Sequence, residues 1–250
     1  HARPPKDLAY AVAMTFEQRD QGHRHLLFAP AAWPDAGFSL FDAGSRQHEA
    51  LRPFGGGRNS TWLYRRSEGP DWVLRHYARG GLVGKLVRGR YTWLGLERTR
   101  AWRELRLLGW MREQALPVPR PIAAHVIRLG AVYEQHLLTE RIGHNAEPLQ
   151  AVLQTRPMGD AEWTALGQCL RRFHDAGVHH ADLNTGNVLL DDQGRFHLLD
   201  FDRGQRATGH DFVPKVLARF LRSLHKQRDR LPGFHFTDAD WPRLLDGHGR

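Results

Sequence analysis

Cysteine is nearly missing from this 250-residue chain, which carries Cys169 and no other. No disulfide can form within it, and no cysteine-based zinc site is available. A reducing compartment fits that usage. Apolar residues never run on for the roughly 18 to 20 positions that a spanning helix needs. Low-complexity tracts and internal repeats are absent too, which excludes disordered, collagen-like and solenoid architectures. The start of the chain lacks the basic-then-apolar pattern of a signal peptide. The expectation is a globular chain that is soluble, or that lies on a membrane without crossing it.

Lysine is scarce: four residues, in a basic total of 36 that arginine dominates. Against 27 acidic residues this leaves a formal net charge of +9. Such a balance suits an anionic partner, whether nucleic acid, an acidic membrane surface or a phosphorylated ligand. Arginine-favouring codons and solubility explain the bulk charge equally well, so only particular residues can decide between them. The length allows one large core or two smaller ones.

Along the chain, "HRHLLFAP" reads as a short strand and "SLFDAGSRQHEA" as more helical. A triple glycine, Gly55 to Gly57, then sits before an apolar run, and "DWVLRHY" has strand character. "TRAWRELRLLGWMR" predicts a helix, with Ala101, Leu105, Leu108 and Arg112 on one stripe and Glu104 and Met111 beside it. The prolines of "LPVPRPIAA" end that helix and force extended chain. "AVYEQHLLTERI" reads as a further strand pair that closes at Thr139 to Ile142. A change of character at "GHNAEP" marks a boundary, dividing the chain into residues 1–142 and 143–250. "DAEWTALGQCLRRFHDAGV" predicts a second helix, with Asp160 as N-cap, Trp163, Leu166, Leu170 and Phe173 on one face, and Gly177 as its stop. "NVLL", the turn "DDQG" and "RFHLLDF" predict a hairpin. A last helix spans about 212–230, and a short tail punctuated by Pro and Gly follows. The class is α+β: strands with one helix, a linker, then mainly helices around one hairpin.

The chemistry concentrates in "HHADLNTGNVLLDDQGRFHLLDFDRG". Crowded carboxylates are costly unless something positive lies between them. Asp182 and Asn187 stand five apart on a loop, and Asp200 ends the second strand of the hairpin. Two carboxylates and an amide oxygen are hard ligands suited to Mg²⁺, which keeps substrate phosphates in its shell. A carboxylate left off the metal can orient an acceptor hydroxyl and take its proton.

"HADLNTGN" followed by "LLDFD" resembles the catalytic and metal-binding segments of the protein-kinase-like superfamily. The resemblance implies a compact bilobal fold: an antiparallel-sheet N-lobe with one helix, and a mainly helical C-lobe. Position by position, it implies that Asp182 is the catalytic aspartate, that Asn187 and Asp200 hold Mg²⁺ on the phosphates of ATP, and that His180 supports the loop. Asp202 stands where most relatives have glycine. It is expected to be solvated, or else to add a metal or substrate contact. The glycine loop falls on Gly55 and Gly57, with Ser60 in place of a later glycine. Glu104 takes the position of the helix glutamate. The strand lysine is replaced by Arg75, with Lys85 as the alternative phosphate-binding cation. Glu140 and Ile142 fall in the lobe hinge, whose backbone pairs with adenine.

Only about fifty residues follow Asp200, and no Ala-Pro-Glu-like element is among them. This points to a small-molecule or glycan kinase. "VLRHYARGGLVGKLVRGRYTW", "TRAWRELRLLGWM", "LPVPRPIAA" and "LLTERI", with the motifs above, resemble the 3-deoxy-D-manno-octulosonic acid (Kdo) kinases of the lipopolysaccharide kinase group, over most of residues 50 to 230. That resemblance implies ATP-dependent phosphorylation of the 4-hydroxyl of Kdo on a lipid A precursor, at the cytoplasmic face of the bacterial inner membrane, with no nucleic-acid partner. A heptose kinase, an aminoglycoside-type phosphotransferase and a small atypical protein kinase share the fold and stay open as alternatives, as does a pseudokinase scaffold. Lys215, Arg219, Arg222 and Lys226 recur along the last helix beside Val216, Leu217, Phe220, Leu221 and Leu224, which reads as a basic amphipathic helix for an acidic leaflet. A second basic cluster, Arg75, Arg79, Lys85, Arg88 and Arg90, is expected to act the same way. Each charge near such a leaflet contributes about 1 kcal/mol.

Overall fold

A computed structural model describes residues 14–42, 51–54, 61–77 and 91–250. Its first part is an eight-stranded antiparallel sheet. The strands are β1 (Glu17–Gln21), β2 (Arg24–Phe28), β3 (Leu51–Pro53), β4 (Thr61–Tyr64), β5 (Trp72–His76), β6 (Tyr91–Thr92), β7 (Pro121–Leu129) and β8 (Val132–Glu140). They run in the order β1-β2-β7-β8-β5-β4-β3, with β6 paired to β8. "AVYEQHLLTE" is therefore one strand, not two, and its hairpin partner is the extended chain after the prolines.

One helix, α1 (Arg100–Glu113), packs across one face of the sheet. Ala101, Leu105, Leu108 and Met111 bury their side chains against Ala124, Val126, Tyr133 and Leu137. Arg112, assigned to the same stripe by spacing, is exposed: a charged side chain at the edge of the stripe turns to water. The Gln135 side chain accepts the Ala101 N–H at 2.8 Å, which ties the start of α1 to the sheet. The other face of the sheet carries Leu26, Phe28, Trp72, Leu74, Ile122 and Leu138, covered by Ala36 and Phe41.

Side chains alternate between faces along a strand. On β5, Trp72 and Leu74 therefore enter the far layer, which leaves Arg75 and the following Tyr77 to point at α1. That parity brings Arg75 to Glu104.

The rest is mainly helical, with α2 (Leu149–Thr155), α3 (Asp160–Asp175), α4 (Val213–Arg230) and α5 (Asp240–His248). Trp163, Leu166, Leu170 and Phe173 of α3 are all buried, as their spacing requires. Its N-cap is Gly159 rather than Asp160, and the Glu162 carboxylate accepts the Gly159 N–H at 2.9 Å. Gly177 ends the segment at φ +72°, where a Cβ would come 2.8 Å from the Ala207 carbonyl. Two short sheets follow. In one, β9 (Glu147–Pro148), β11 (Val188–Leu190) and β12 (Phe196–Leu198) pair; in the other, β10 (Val178–His179) pairs with β13 (Gln205–Arg206). The expected tail instead contains α5. Gly167 of α3 and Gly247 of α5 let the two backbones meet, since a Cβ on Gly167 would lie 2.0 Å from the Leu244 carbonyl.

Candidate active site

The loop from His180 to Asn187 joins β10 to β11, and its shape is fixed by its own polar groups. His180 is buried; its Nε2 donates to the Leu199 carbonyl at 2.8 Å, and its Nδ1 accepts the Asp182 N–H at 3.3 Å. Burial holds its pKa below the ordinary histidine value, so a neutral imidazole braces the loop. The Asp182 carbonyl accepts hydrogen bonds from Asn184 Nδ2 at 2.8 Å and Asn187 Nδ2 at 3.0 Å. The Leu199 N–H donates to the Asn187 carbonyl at 2.9 Å. Asp182, Asn187 and the residue before Asp200 are thus joined by one hydrogen-bonded network.

Asp200 takes φ +62°, in the left-handed region that asparagine, aspartate and glycine tolerate best. That turn sends Phe201 inward, fully buried against His180 and Phe173. It leaves the Asp200 carboxylate about one-third exposed. Arg75 Nη1 donates to Asp200 at 2.5 Å, while Nη2 donates to Tyr77 at 2.9 Å and to Glu104. Tyr77 also donates to Glu104, and the other Glu104 oxygen accepts the Phe201 N–H at 3.0 Å. Burial penalises the charge on Arg75, but Glu104, Tyr77 and Asp200 outweigh it and raise its pKa, so it stays protonated. Burial pushes the Glu104 carboxyl up from its usual range, and Arg75 pulls the other way. Arginine suits this position because its planar fork meets both carboxylates and the Tyr77 hydroxyl at once, in a fixed geometry that a single ammonium group lacks.

Asp202 is partly exposed and forms an ion pair. Arg100, at the start of α1, donates to it at 2.8 Å. Arg100 lies four residues before Glu104, so the same side of the helix meets the segment Asp200 to Asp202 at two points.

Asp182 stands at the mouth of a cleft of about 390 Å³. One of its oxygens accepts a hydrogen bond from Arg219 of α4. The apolar side of α4 does not face outward: Val216, Leu217, Phe220 and Leu224 are core residues. Burial in the protein interior produces the same periodicity as a helix lying on a membrane, and Lys215, Arg219, Arg222 and Lys226 are left exposed on the outer side. Gly55, Gly57, Ser60 and Lys85 lie outside the described residues, as do Arg79, Arg88 and Arg90. Glu140 ends β8, where its N–H donates to the Arg120 carbonyl at 2.8 Å, and Ile142 stands in the connection that follows.

Sequence reasoning missed Tyr77 and the role of Arg100. The signals are local: Tyr77 lies two residues beyond Arg75, just past the end of β5, and Arg100 lies one turn before Glu104 on a helix. The contact between Arg219 and Asp182 left no local signal, since 37 residues separate the two.

Among the described residues, no group of three or more His, Cys, Asp or Glu side chains is placed to hold a metal ion. The donors here are of another kind. Asn187 turns its amide nitrogen to the Asp182 carbonyl, which leaves its oxygen for a cation. Asp200 has one oxygen beyond the one that meets Arg75. One carboxylate and one amide oxygen fit a small hard cation whose other ligands come from phosphate and water.

The sequence comparisons agree with this geometry. The model of the family described as "Lipopolysaccharide kinase (Kdo/WaaP) family" matches residues 46–248. A protein of Stenotrophomonas maltophilia (strain R551-3) named 3-deoxy-D-manno-octulosonic acid kinase is 44% identical over 221 residues, which covers 86% of each chain. Proteins of the same name from Actinobacillus succinogenes and Vibrio cholerae are 41% and 40% identical, over 77% and 68% of this chain and 82% and 72% of theirs. The family match takes in every residue of the network around Arg75, Asp182 and Asp200, and with it this chain belongs to the lipopolysaccharide kinase (Kdo/WaaP) family.

Proposed function

We propose that the chain is an ATP-dependent kinase that phosphorylates the 4-hydroxyl of Kdo on a lipid A precursor. The observation that carries this reading is the network that ties Asp182 and Asn187 to the backbone just before Asp200, whose carboxylate meets the Arg75–Glu104 pair. Relatives named for Kdo phosphorylation, about 40% identical over most of their length, support the choice of acceptor.

In this reading Asp182 orients the acceptor hydroxyl and receives its proton as the oxygen attacks the γ-phosphorus of ATP, while the bond from that phosphorus to the β–γ bridging oxygen breaks and ADP leaves. Phosphoryl transfer asks mainly for positioning and charge stabilisation, not covalent participation by the protein. Arg75, held by Glu104 and Tyr77, provides fixed positive charge at the rim of the site. His180 keeps the loop in register. Asn187 and Asp200 would hold Mg²⁺, which when bound neutralises phosphate charge. Ile142 and the neighbouring hinge backbone would face the adenine, and Gly55 and Gly57 the phosphates.

We place the enzyme as a peripheral protein at the cytoplasmic face of the inner membrane. The lipid-linked acceptor and the net charge of +9 support this. No helix among the described residues is long and apolar enough to cross a membrane. Attraction to the bilayer then rests on surface charge.

The test is turnover of ATP with the Kdo–lipid A precursor, with aminoglycosides and peptides in parallel, and mass analysis of the product. One added phosphate on Kdo is the expected result. ADP release with peptides alone would overturn the reading.

A further inference from the structure

Three cations of α4 line the cleft that Asp182 opens into: Arg219, Arg222 and Lys226. They follow one another at i, i+3 and i+7, which places them on one side of the helix. Asp182 is the one acidic residue among the residues lining the cleft. Among the described residues, Arg222 and Lys226 have no acidic partner, and both are exposed. The helix is also anchored to the catalytic loop. Ser223 Oγ accepts the Thr185 N–H at 3.1 Å and lies 3.4 Å from the buried Thr185 hydroxyl. The position of the cations relative to Asp182 is thus set by the fold.

We propose that Arg219, Arg222 and Lys226 form the anion subsite of the acceptor, and that Arg219 passes from Asp182 to the acceptor's anionic group when the acceptor binds. This rests on the kinase reading above and adds to it the residues that grip the acceptor. Arg219 takes one of the two Asp182 oxygens and so competes with a substrate hydroxyl for the carboxylate. A second anion in the cleft gives the guanidinium somewhere to go. Without a ligand, Arg219 keeps the exposed carboxylate paired. With one, the same residue binds the ligand and releases Asp182 to meet the hydroxyl. Arginine and lysine serve carboxylate and phosphate alike, and the proposed acceptor offers both: the sugar-acid carboxylate and the phosphates of its lipid disaccharide.

The deciding experiment compares wild type, Arg222→Ala, Lys226→Ala and Arg222→Lys in steady state on the Kdo–lipid A precursor in detergent micelles. Each alanine variant should raise the acceptor KM at least tenfold and leave the ATP KM unchanged, with Arg222→Lys recovering part of the loss. Two modified acceptors identify the group recognised. One has its disaccharide phosphates removed and the other has its Kdo carboxylate methyl-esterified. The penalty of the alanine variants should disappear for whichever acceptor lost the recognised anion.

An unchanged acceptor KM in both alanine variants would overturn the proposal, while wild-type turnover on the same acceptor would leave the kinase reading standing. An equal loss of binding to phosphatidylglycerol vesicles that contain no acceptor would also overturn it, because the cations would then serve the bilayer. If wild type does not phosphorylate this acceptor, the kinase reading fails. Equilibrium binding of the glycolipid micelles then decides the subsite: weaker binding by the alanine variants upholds it, and equal binding overturns it.

Discussion

Asp202 and Arg100 form an ion pair at 2.8 Å that joins the segment after Asp200 to the first turn of α1. A glycine at position 202 could not make this contact. Both side chains are partly exposed, so the pair stabilises the fold by about 1 kcal/mol or less. Its main effect should be on the placement of Glu104 one turn further along. Arg100→Ala is expected to lower kcat several-fold, with the acceptor KM unchanged and the denaturation midpoint only slightly reduced. Kinetics and urea unfolding on the same preparation check both.

Arg75 carries more. Arg75→Met leaves Glu104 buried without its cation, and losing one partner of a buried pair typically costs ~3–5 kcal/mol. The variant should unfold at much lower denaturant concentration. Arg75→Lys keeps the charge but not the fork, so it should fold and still lose at least tenfold in kcat. A lysine variant as active as wild type would show that the double contact to Glu104 and Asp200 is dispensable.

Asp182→Asn removes the proton acceptor and keeps the shape. Positioned acid–base groups typically contribute ~10²–10⁴-fold in rate, and a loss of that size is expected here. The side chain is nearly half exposed and its Arg219 contact lies at the surface, so thermal stability should hardly change. Melting curves beside turnover numbers separate the two effects.

Acid should loosen the protein well above the carboxylate range. His125 and His174 are both buried, and burial drives each pKa down to about 3. Once unfolded, each would titrate near the ordinary value of 6.5. Between those limits the unfolded chain binds protons that the folded chain refuses, so stability falls as pH drops through 6.5 and keeps falling towards 3. The slope is at most ~1.4 kcal/mol per pH unit for each histidine. Asp191 is held down to about 2 and does not contribute until the pH nears its ordinary 3.8. Unfolding free energies measured from pH 7 to pH 5 should decline, and His174→Gln, which removes one titrating group, should flatten the decline.

The crossing of α3 and α5 is sensitive to a single methyl group. A Cβ on Gly167 would lie 2.0 Å from the Leu244 carbonyl, and one on Gly247 would lie 2.1 Å from the Thr164 carbonyl. Overpacking of this kind costs ~1–3 kcal/mol or more. Gly167→Ala should increase amide exchange in α5 first, because the shorter helix has fewer contacts to lose. Exchange that rose evenly over the whole chain would count against that order.

Much of the site was legible because its residues sit close together in the chain. His180, Asp182, Asn187 and Asp200 fall within one loop and one hairpin, and the sequence periods of α1 and α3 follow the faces that the structure buries. The parts that were not legible depend on long-range contact. β1, "EQRDQ", has no apolar alternation; all five residues are exposed and the strand is held by pairing with β2. α5 is nine residues long, with Pro242 in its first turn and only two buried side chains, so it looks like loop until it meets Gly167. The apolar stripe of α4 packs into the core, which its periodicity alone does not specify, since a hydrophobic stripe does not say whether lipid or protein covers it.

The contacts among Arg75, Glu104, Asp200 and the Phe201 backbone have a consequence for control. Kinases gated by phosphorylation need the pair between strand cation and helix glutamate put in place by an outside event. Here the pair is closed by residues of the same chain, and Tyr77 and the Arg100–Asp202 bridge fasten it further. The strand-to-helix pair of this fold is already closed by the chain's own side chains, and the contact still to be made before transfer is the acceptor's, at the cleft beside Asp182.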